Sequence, residues 1–193
     1  MTDTTATGTR TAAEPSEGWI ASVSPADATG RLAEAYQTQL EKLGRVTELT
    51  QIGSLYPELV ATRLRLYEVV ESAPSAIPPW ARRAVALLTS VLNGCKFCTV
   101  GHTQGLVDAG RGALADEIKS RPNTASARDV AIDALLAYTR KLVQTPREIV
   151  EADIESLREA GWSDLDILDA NDIAAYYCYI NRVATGLGLT REA

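Results

Sequence analysis

The sequence has one histidine, one methionine and one phenylalanine. A single imidazole excludes any multi-histidine metal site. Cysteine is also scarce, at three residues, which excludes a secreted scaffold held by disulfides. Positive charge is in deficit: 19 Lys and Arg against 25 Asp and Glu leave a net charge of −6. Phosphate affinity needs clustered cations, so no nucleic-acid partner is expected. No apolar run reaches the roughly 18 residues a membrane helix needs, so no membrane partner is expected either. The first residues lack the apolar stretch of about 7–15 residues that marks a signal peptide. A cytoplasmic protein is expected.

What is present suits a globular chain. Its 193 residues are 46% hydrophobic, and a chain of that length buries about 70% of its unfolded surface without staples. Residues 1–17 are rich in Thr and Ala and carry no large apolar residue after Met1. A segment of that composition cannot offset its ordering entropy, so a disordered tail is expected there. Residues 18–193 are expected to form a single all-α domain, a compact antiparallel multi-helix bundle.

The periodicity supports that class. Leu32, Tyr36, Leu40 and Leu43 recur at helical spacing and end at Gly44. Val60, Leu64 and Tyr67 follow Pro57, and Ala84, Leu87, Leu88 and Val91 follow Pro78 and Pro79. Ile132, Leu135 and Leu136 follow Ser126, which has Asp129 three residues on. Thr145-Pro146-Arg147-Glu148 reads as a capping box for a helix with Val150, Ile154 and Leu157 on its stripe. Ser163 opens the last helix, which runs to about Gly186. That helix is apolar on most sides from Ile173 to Ile180, a pattern of burial all round and a pointer to an oligomer. Trp80 and Trp162 are expected to staple helix starts, and Tyr176, Tyr177 and Tyr179 to serve core and interface. Asp172 and Asn181 are expected to satisfy buried backbone or pair with Arg182.

The chemistry concentrates in Asn93-Gly94-Cys95-Lys96-Phe97-Cys98-Thr99-Val100-Gly101-His102. Two of the three Cys are spaced C-x-x-C, and the only His follows by one helical turn. At about 100° per residue, Cys95, Cys98 and His102 project within about 60° of one another. A helix starting near Gly94 places the cysteines in a first turn, where free N–H groups and the dipole favour a thiolate. His102 is then within range to move a proton. Reversible thiol–disulfide chemistry fits this set: one thiolate attacks a peroxide oxygen or a disulfide sulphur, and the other resolves the product as Cys95–Cys98. Zinc held by Cys95, Cys98, His102 and Cys178 is a formal alternative. Three ligands on one regular helix wrap poorly around a tetrahedral ion, so no metal and no organic cofactor is expected. Cys178 alone reads as a small buried hydrophobe.

This motif and its surroundings resemble the carboxymuconolactone decarboxylase and alkylhydroperoxidase superfamily, in its peroxidase-related subgroup. The likeness is carried by the Cys/His motif and by Ala84-Val85-Ala86-Leu87-Leu88-Thr89-Ser90-Val91-Leu92-Asn93-Gly94 before it. Pro57 to Tyr67 and the last helix, from Ala174-Ala175-Tyr176-Tyr177 through Asn181-Arg182 to Gly186-Leu187-Gly188, are similar as well. The resemblance implies an all-α homo-oligomer acting on a hydroperoxide or other small molecule and recycled by a dithiol reductant. It implies Cys98 as the attacking thiol, Cys95 as the resolving thiol and His102 in a proton relay.

Two positions depart from the family pattern. Phe97 stands where the classical alkylhydroperoxidase has a second His. Arg83 stands where the family places its relay Glu, and a guanidinium stays protonated at ordinary pH. The family register turns Arg83 toward the site, where it would stabilise a thiolate or bind an anionic substrate. Three functions follow as expectations: a thiol-dependent peroxidase or disulfide oxidoreductase; a diverged enzyme acting on a small, anionic pathway substrate; or a non-catalytic, redox-responsive assembly protein.

Overall fold

The computed structural model describes residues 18–190, so the tail expected over 1–17 lies outside it. Every regular element among the described residues is helical. The chain divides into two compact units, one ending at Ala61 and the other starting at Thr62.

The first unit holds α1 (Gly30–Leu43), α2 (Glu48–Gln51) and the start of α3 (Pro57–Glu71). Pro57 opens α3, as its fixed φ allows. Gly44 stops α1 at φ 69°, with its N–H on the Leu40 carbonyl at 2.8 Å. The buried stripe of α1 is Leu32, Ala35, Tyr36 and Gln39, while the expected Leu40 and Leu43 are exposed. Two polar anchors set that register: the Tyr36 hydroxyl donates to the Val23 carbonyl at 2.8 Å, and Gln39 Oε1 accepts the Thr47 N–H at 3.0 Å.

The second unit contains the end of α3, then α4 (Pro79–Leu92), α5 (Lys96–Asp108), α6 (Gly112–Ser120), α7 (Val130–Gln144), α8 (Glu151–Glu159) and α9 (Asp164–Gly186). Its centre is α4, which packs against α5, α6, α7 and α9. Ala81, Ala84, Val85, Ala86, Leu87, Leu88, Thr89 and Ser90 are all buried. Small residues on α4 let four neighbours approach at once, so α4 is the helix enclosed on most sides. The sequence pattern assigned that place to α9. Instead α9 buries Ile173, Ala174, Tyr176, Tyr177 and Ile180 and leaves Leu165, Leu168 and Tyr179 exposed. These three line a groove of about 670 Å³ with Leu66, Val69 and Ala175, and none of the site cysteines belongs to it. No helix among the described residues is long and apolar enough to cross a membrane.

Two helix starts differ from expectation. Thr145 bonds back to the Lys141 carbonyl, and Pro146–Glu148 makes only a 3-10 turn. The carboxylate that caps α8 is Asp153, which accepts the Val150 N–H at 2.8 Å and is held by Lys141 at 2.7 Å. For α7 the cap is Asp129, not Ser126: its Oδ1 accepts from Ala131 and Ile132, while the Ser126 hydroxyl donates to Asp133. Ser163 opens α9, as read from sequence, and Asp166 completes its capping box. Trp80 lies under the Arg111 guanidinium at 4.3 Å, and the Trp162 indole donates to the Ala131 carbonyl at 2.8 Å.

Adjacent arginines on α4 have opposite fates. Arg82 is buried, donating to the Asp169 carboxylate, the Val70 carbonyl and the Ser75 hydroxyl. This buried pair ties α4 to α9 and to the end of α3. Arg83, one position on, turns toward α5.

Candidate active site

The turn between α4 and α5 creates the site. Gly94 N–H reaches the Val91 carbonyl at 3.0 Å and Cys95 N–H reaches the Ser90 carbonyl at 2.9 Å, the paired bonds of a Schellman stop. Gly94 sits at φ +70°, the left-handed region that favours glycine. The next residue, Cys95, is already the N-cap of α5, and its sulphur accepts the Cys98 N–H at 3.4 Å. Gly94→Ala should cost about 1–2 kcal/mol, because only backbone strain is added and no atom lies within 4 Å of the new Cβ. A denaturant titration checks this; an unchanged midpoint would show that the turn tolerates a side chain.

The structure brings together all three residues read from the motif. Cys95 and Cys98 are free thiols with sulphurs 2.8 Å apart, hydrogen-bonded to each other. That is about 0.8 Å beyond a disulfide bond. Both cysteines are buried, Cys95 fully and Cys98 with 6% exposed, so Cys98 is the more accessible residue of the pair. The hydrogen bond from Cys98, opposed by burial, draws the Cys95 thiol down to about 6, with help from the Cys98 N–H, Thr185 and Asn181. The same bond, burial and the charge on Cys95 push the Cys98 thiol up. The pair therefore loses one proton readily and holds the second, and the negative charge rests on Cys95.

His102 is buried one turn further along α5. Burial, then the positive charge of Arg83, draws its imidazole down to about 3, so it is neutral across ordinary pH. Its Nδ1 has no hydrogen-bond partner among the described residues. Arg83 packs along Gly105 of α5, where an added Cβ would meet its Cδ at 3.4 Å. The guanidinium lies 3.5 Å from the Glu71 carboxylate. Burial opposes its charge, but Glu71, Tyr177 and Tyr67 more than offset that and hold the cation. Thus Arg83 turns toward α5, where its charge acts on His102.

Several site residues escaped the sequence reading. Asn181, fully buried on α9, donates to the Ser90 hydroxyl at 3.1 Å and accepts from Asn93 at 3.0 Å, while also bonding both thiols. It does not pair with Arg182, which donates to the Cys178 carbonyl. Tyr177, expected in core or interface, stands edge-on to the His102 ring with centroids 4.4 Å apart. Its hydroxyl donates to Glu71 at 2.7 Å. A signal was available: Tyr177, Asn181 and Thr185 recur every four residues along the mostly apolar second half of α9. Cys178 is only half-buried and accepts from Asn93 at 3.4 Å. No group of three or more His, Cys, Asp or Glu among the described residues converges as metal ligands.

Residues 57–141 match the carboxymuconolactone decarboxylase family. No curated protein matches the chain significantly. The chain is similar in structure to an uncharacterised peroxidase-related protein from Silicibacter sp. TM1040, at 23% identity over 96% of both chains and a TM-score of 0.80. A second such protein, from Ralstonia eutropha JMP134 and described as an alkylhydroperoxidase AhpD core, is 22% identical over 93% of this chain and 94% of its own, with a TM-score of 0.82. The debrominase Bmp8, in a Cys-to-Ala variant bound to 2,3,4-tribromopyrrole, is 16% identical over 89% and 90%, with a TM-score of 0.74. The all-helical fold, the Cys95–Cys98–His102 helix and the matched segment point the same way: residues 57–141 match the carboxymuconolactone decarboxylase family, and the chain shares the fold of the peroxidase-related proteins.

Proposed function

We propose that this protein is a thiol-dependent peroxidase or disulfide oxidoreductase working through Cys95, Cys98 and His102. The observation that carries the reading is the pair of free sulphurs 2.8 Å apart at the N-terminus of α5. In the peroxide reaction, the proton between the sulphurs moves to Cys95 as the more accessible Cys98 attacks the terminal peroxide oxygen. The O–O bond breaks, Cys98 becomes a sulfenic acid, and the leaving alkoxide takes the proton from Cys95. The Cys95 thiolate then attacks the Cys98 sulphur, the S–O bond breaks, and the hydroxide that leaves takes a proton from the buffer. His102 offers its unpartnered Nδ1 to the incoming peroxide O–H. A dithiol reductant restores both thiols, a cycle suited to a reducing cytoplasm. Assembly as a homo-oligomer, which the family likeness implies, belongs to the same proposal.

The test is direct. A hydroperoxide should form one intramolecular Cys95–Cys98 disulfide in the folded protein, and a dithiol should reverse it. The oxidation rate should rise with pH through a midpoint near the Cys95 value of about 6 and level off above it, since the thiolate fraction grows in that window. His102, at about 3, adds no second step between pH 5 and 8. Two thiols that stay free after peroxide treatment would end the proposal. A midpoint near the free-thiol value of about 8.5 would favour the non-catalytic, redox-responsive reading instead.

One observation favours a second reading. The Arg83 guanidinium acts on His102, so a diverged enzyme on this site would use that cation to bind a small anionic substrate. The similarity to Bmp8 places a halogenated small molecule among the ligands of this fold, as an analogy only.

A further inference from the structure

The thiol chemistry above leaves unused a half-buried carboxylate, Glu71, on the His102 side of the site. Around the Tyr177 ring that packs on His102, α3 supplies Tyr67 and Glu71, α4 supplies Arg83, and α9 supplies Tyr176. The Glu71 side chain is only 24% exposed, and its two oxygens are divided. Oε1 accepts the Tyr177 hydroxyl at 2.7 Å, and Oε2 lies 3.5 Å from Arg83. Tyr177 is itself buried, set at 79° to Tyr176 on one side and at 87° to His102 on the other. Nothing among the described residues hydrogen-bonds His102 Nδ1, so ring packing is what the structure offers to hold that face of the imidazole. The packing ring is in turn held by a carboxylate.

We propose that Glu71 is a positioning residue of the thiol site: it anchors the Tyr177 hydroxyl and thereby fixes the ring wall against which His102 keeps its orientation. Arg83 braces the carboxylate through its second oxygen. A buried carboxylate is costly unless such partners satisfy it, and a 2.7 Å O–H···O⁻ bond is of the short, charge-assisted kind. Misorientation of a proton-handling group by even a fraction of an ångström slows the step it serves. The effect on rate rests on the thiol reading of the site; the effect on His102 does not.

The single histidine makes the test clean, because the imidazole nitrogen and carbon signals in an NMR spectrum of the full chain belong to His102 alone. Three variants separate the causes. Tyr177→Phe removes only the hydroxyl. Glu71→Ala removes the anchor, and Glu71→Gln removes the charge but keeps an oxygen that accepts the hydroxyl. Both Tyr177→Phe and Glu71→Ala should shift or broaden the His102 ring signals in the same sense. Those two should slow peroxide-driven thiol oxidation about tenfold, while Glu71→Gln stays within about twofold of the parent. Unchanged His102 signals in Tyr177→Phe and Glu71→Ala would overturn the proposal, and so would a Glu71→Gln chain as impaired as Glu71→Ala. Should Glu71→Ala fail to fold, the near-isosteric Tyr177→Phe decides. If the parent chain forms no disulfide at all, the thiol reading fails, and the His102 spectra still decide the role of Glu71.

Discussion

Cys98→Ser should abolish peroxide-driven disulfide formation and cut peroxide consumption by on the order of 10³-fold or more, the scale seen when a nucleophile is removed. Cys95→Ser should behave differently. Its Cys98 still attacks, but the sulfenic acid has no resolving partner and accumulates, where a sulfenic-acid trapping reagent and mass spectrometry will find it. The pair of variants matters because two properties of the site point to different sulphurs. Charge favours Cys95, the N-cap, which accepts the Cys98 N–H and the bonds from Thr185 and Asn181. Access favours Cys98, since Cys95 is fully buried. A peroxide must touch the sulphur it oxidises, and a proton crosses a 2.8 Å gap easily, so access should decide. Trapped sulfenic acid on Cys95 in the Cys98→Ser chain would reverse the roles. Turnover of a small anionic substrate that survives Cys95→Ser would favour the diverged-enzyme reading over both.

The second large effect lies away from the sulphurs. Asp169→Ala should destabilise the fold by about 3–5 kcal/mol, because it leaves the buried Arg82 guanidinium without its counter-charge. Arg82 and Asp169 side chains are 9% and 1% exposed, so solvent cannot replace the lost partner. Against a total stability of about 5–15 kcal/mol, such a loss brings the chain near unfolding. Urea titration of the variant measures it. The Arg82→Met, Asp169→Leu double variant should recover much of the loss, since two apolar side chains carry no stranded charge. A single-variant loss below about 1 kcal/mol would show that the pair is better hydrated than its burial implies.

Much of the helical layout was legible because it depends on local rules. Gly44, Pro57 and Ser163 act through their own backbone or the next turn, and they end and start helices where the sequence places them. The two misplaced starts have different causes: Lys141 fixes Asp153 from a neighbouring helix, whereas Asp129 takes the α7 cap through its own next residues, Ala131 and Ile132. The same contrast divides the site. Cys95, Cys98 and His102 share one helix, so spacing alone puts them on one face. Glu71, Tyr67, Tyr177 and Asn181 come from α3 and α9, and nothing local links them to the cysteines.

Scarcity of imidazole and thiol, read by position, thus determined by itself that Cys95, Cys98 and His102 come together, because helical periodicity is a property of consecutive residues. Only the tertiary structure decided the charge states around it. Adjacent Arg82 and Arg83 share a sequence context, yet one is buried on Asp169 and the other faces His102. The lone histidine is neutral for the same reason, since burial and a neighbouring cation are set by packing between helices distant in the chain.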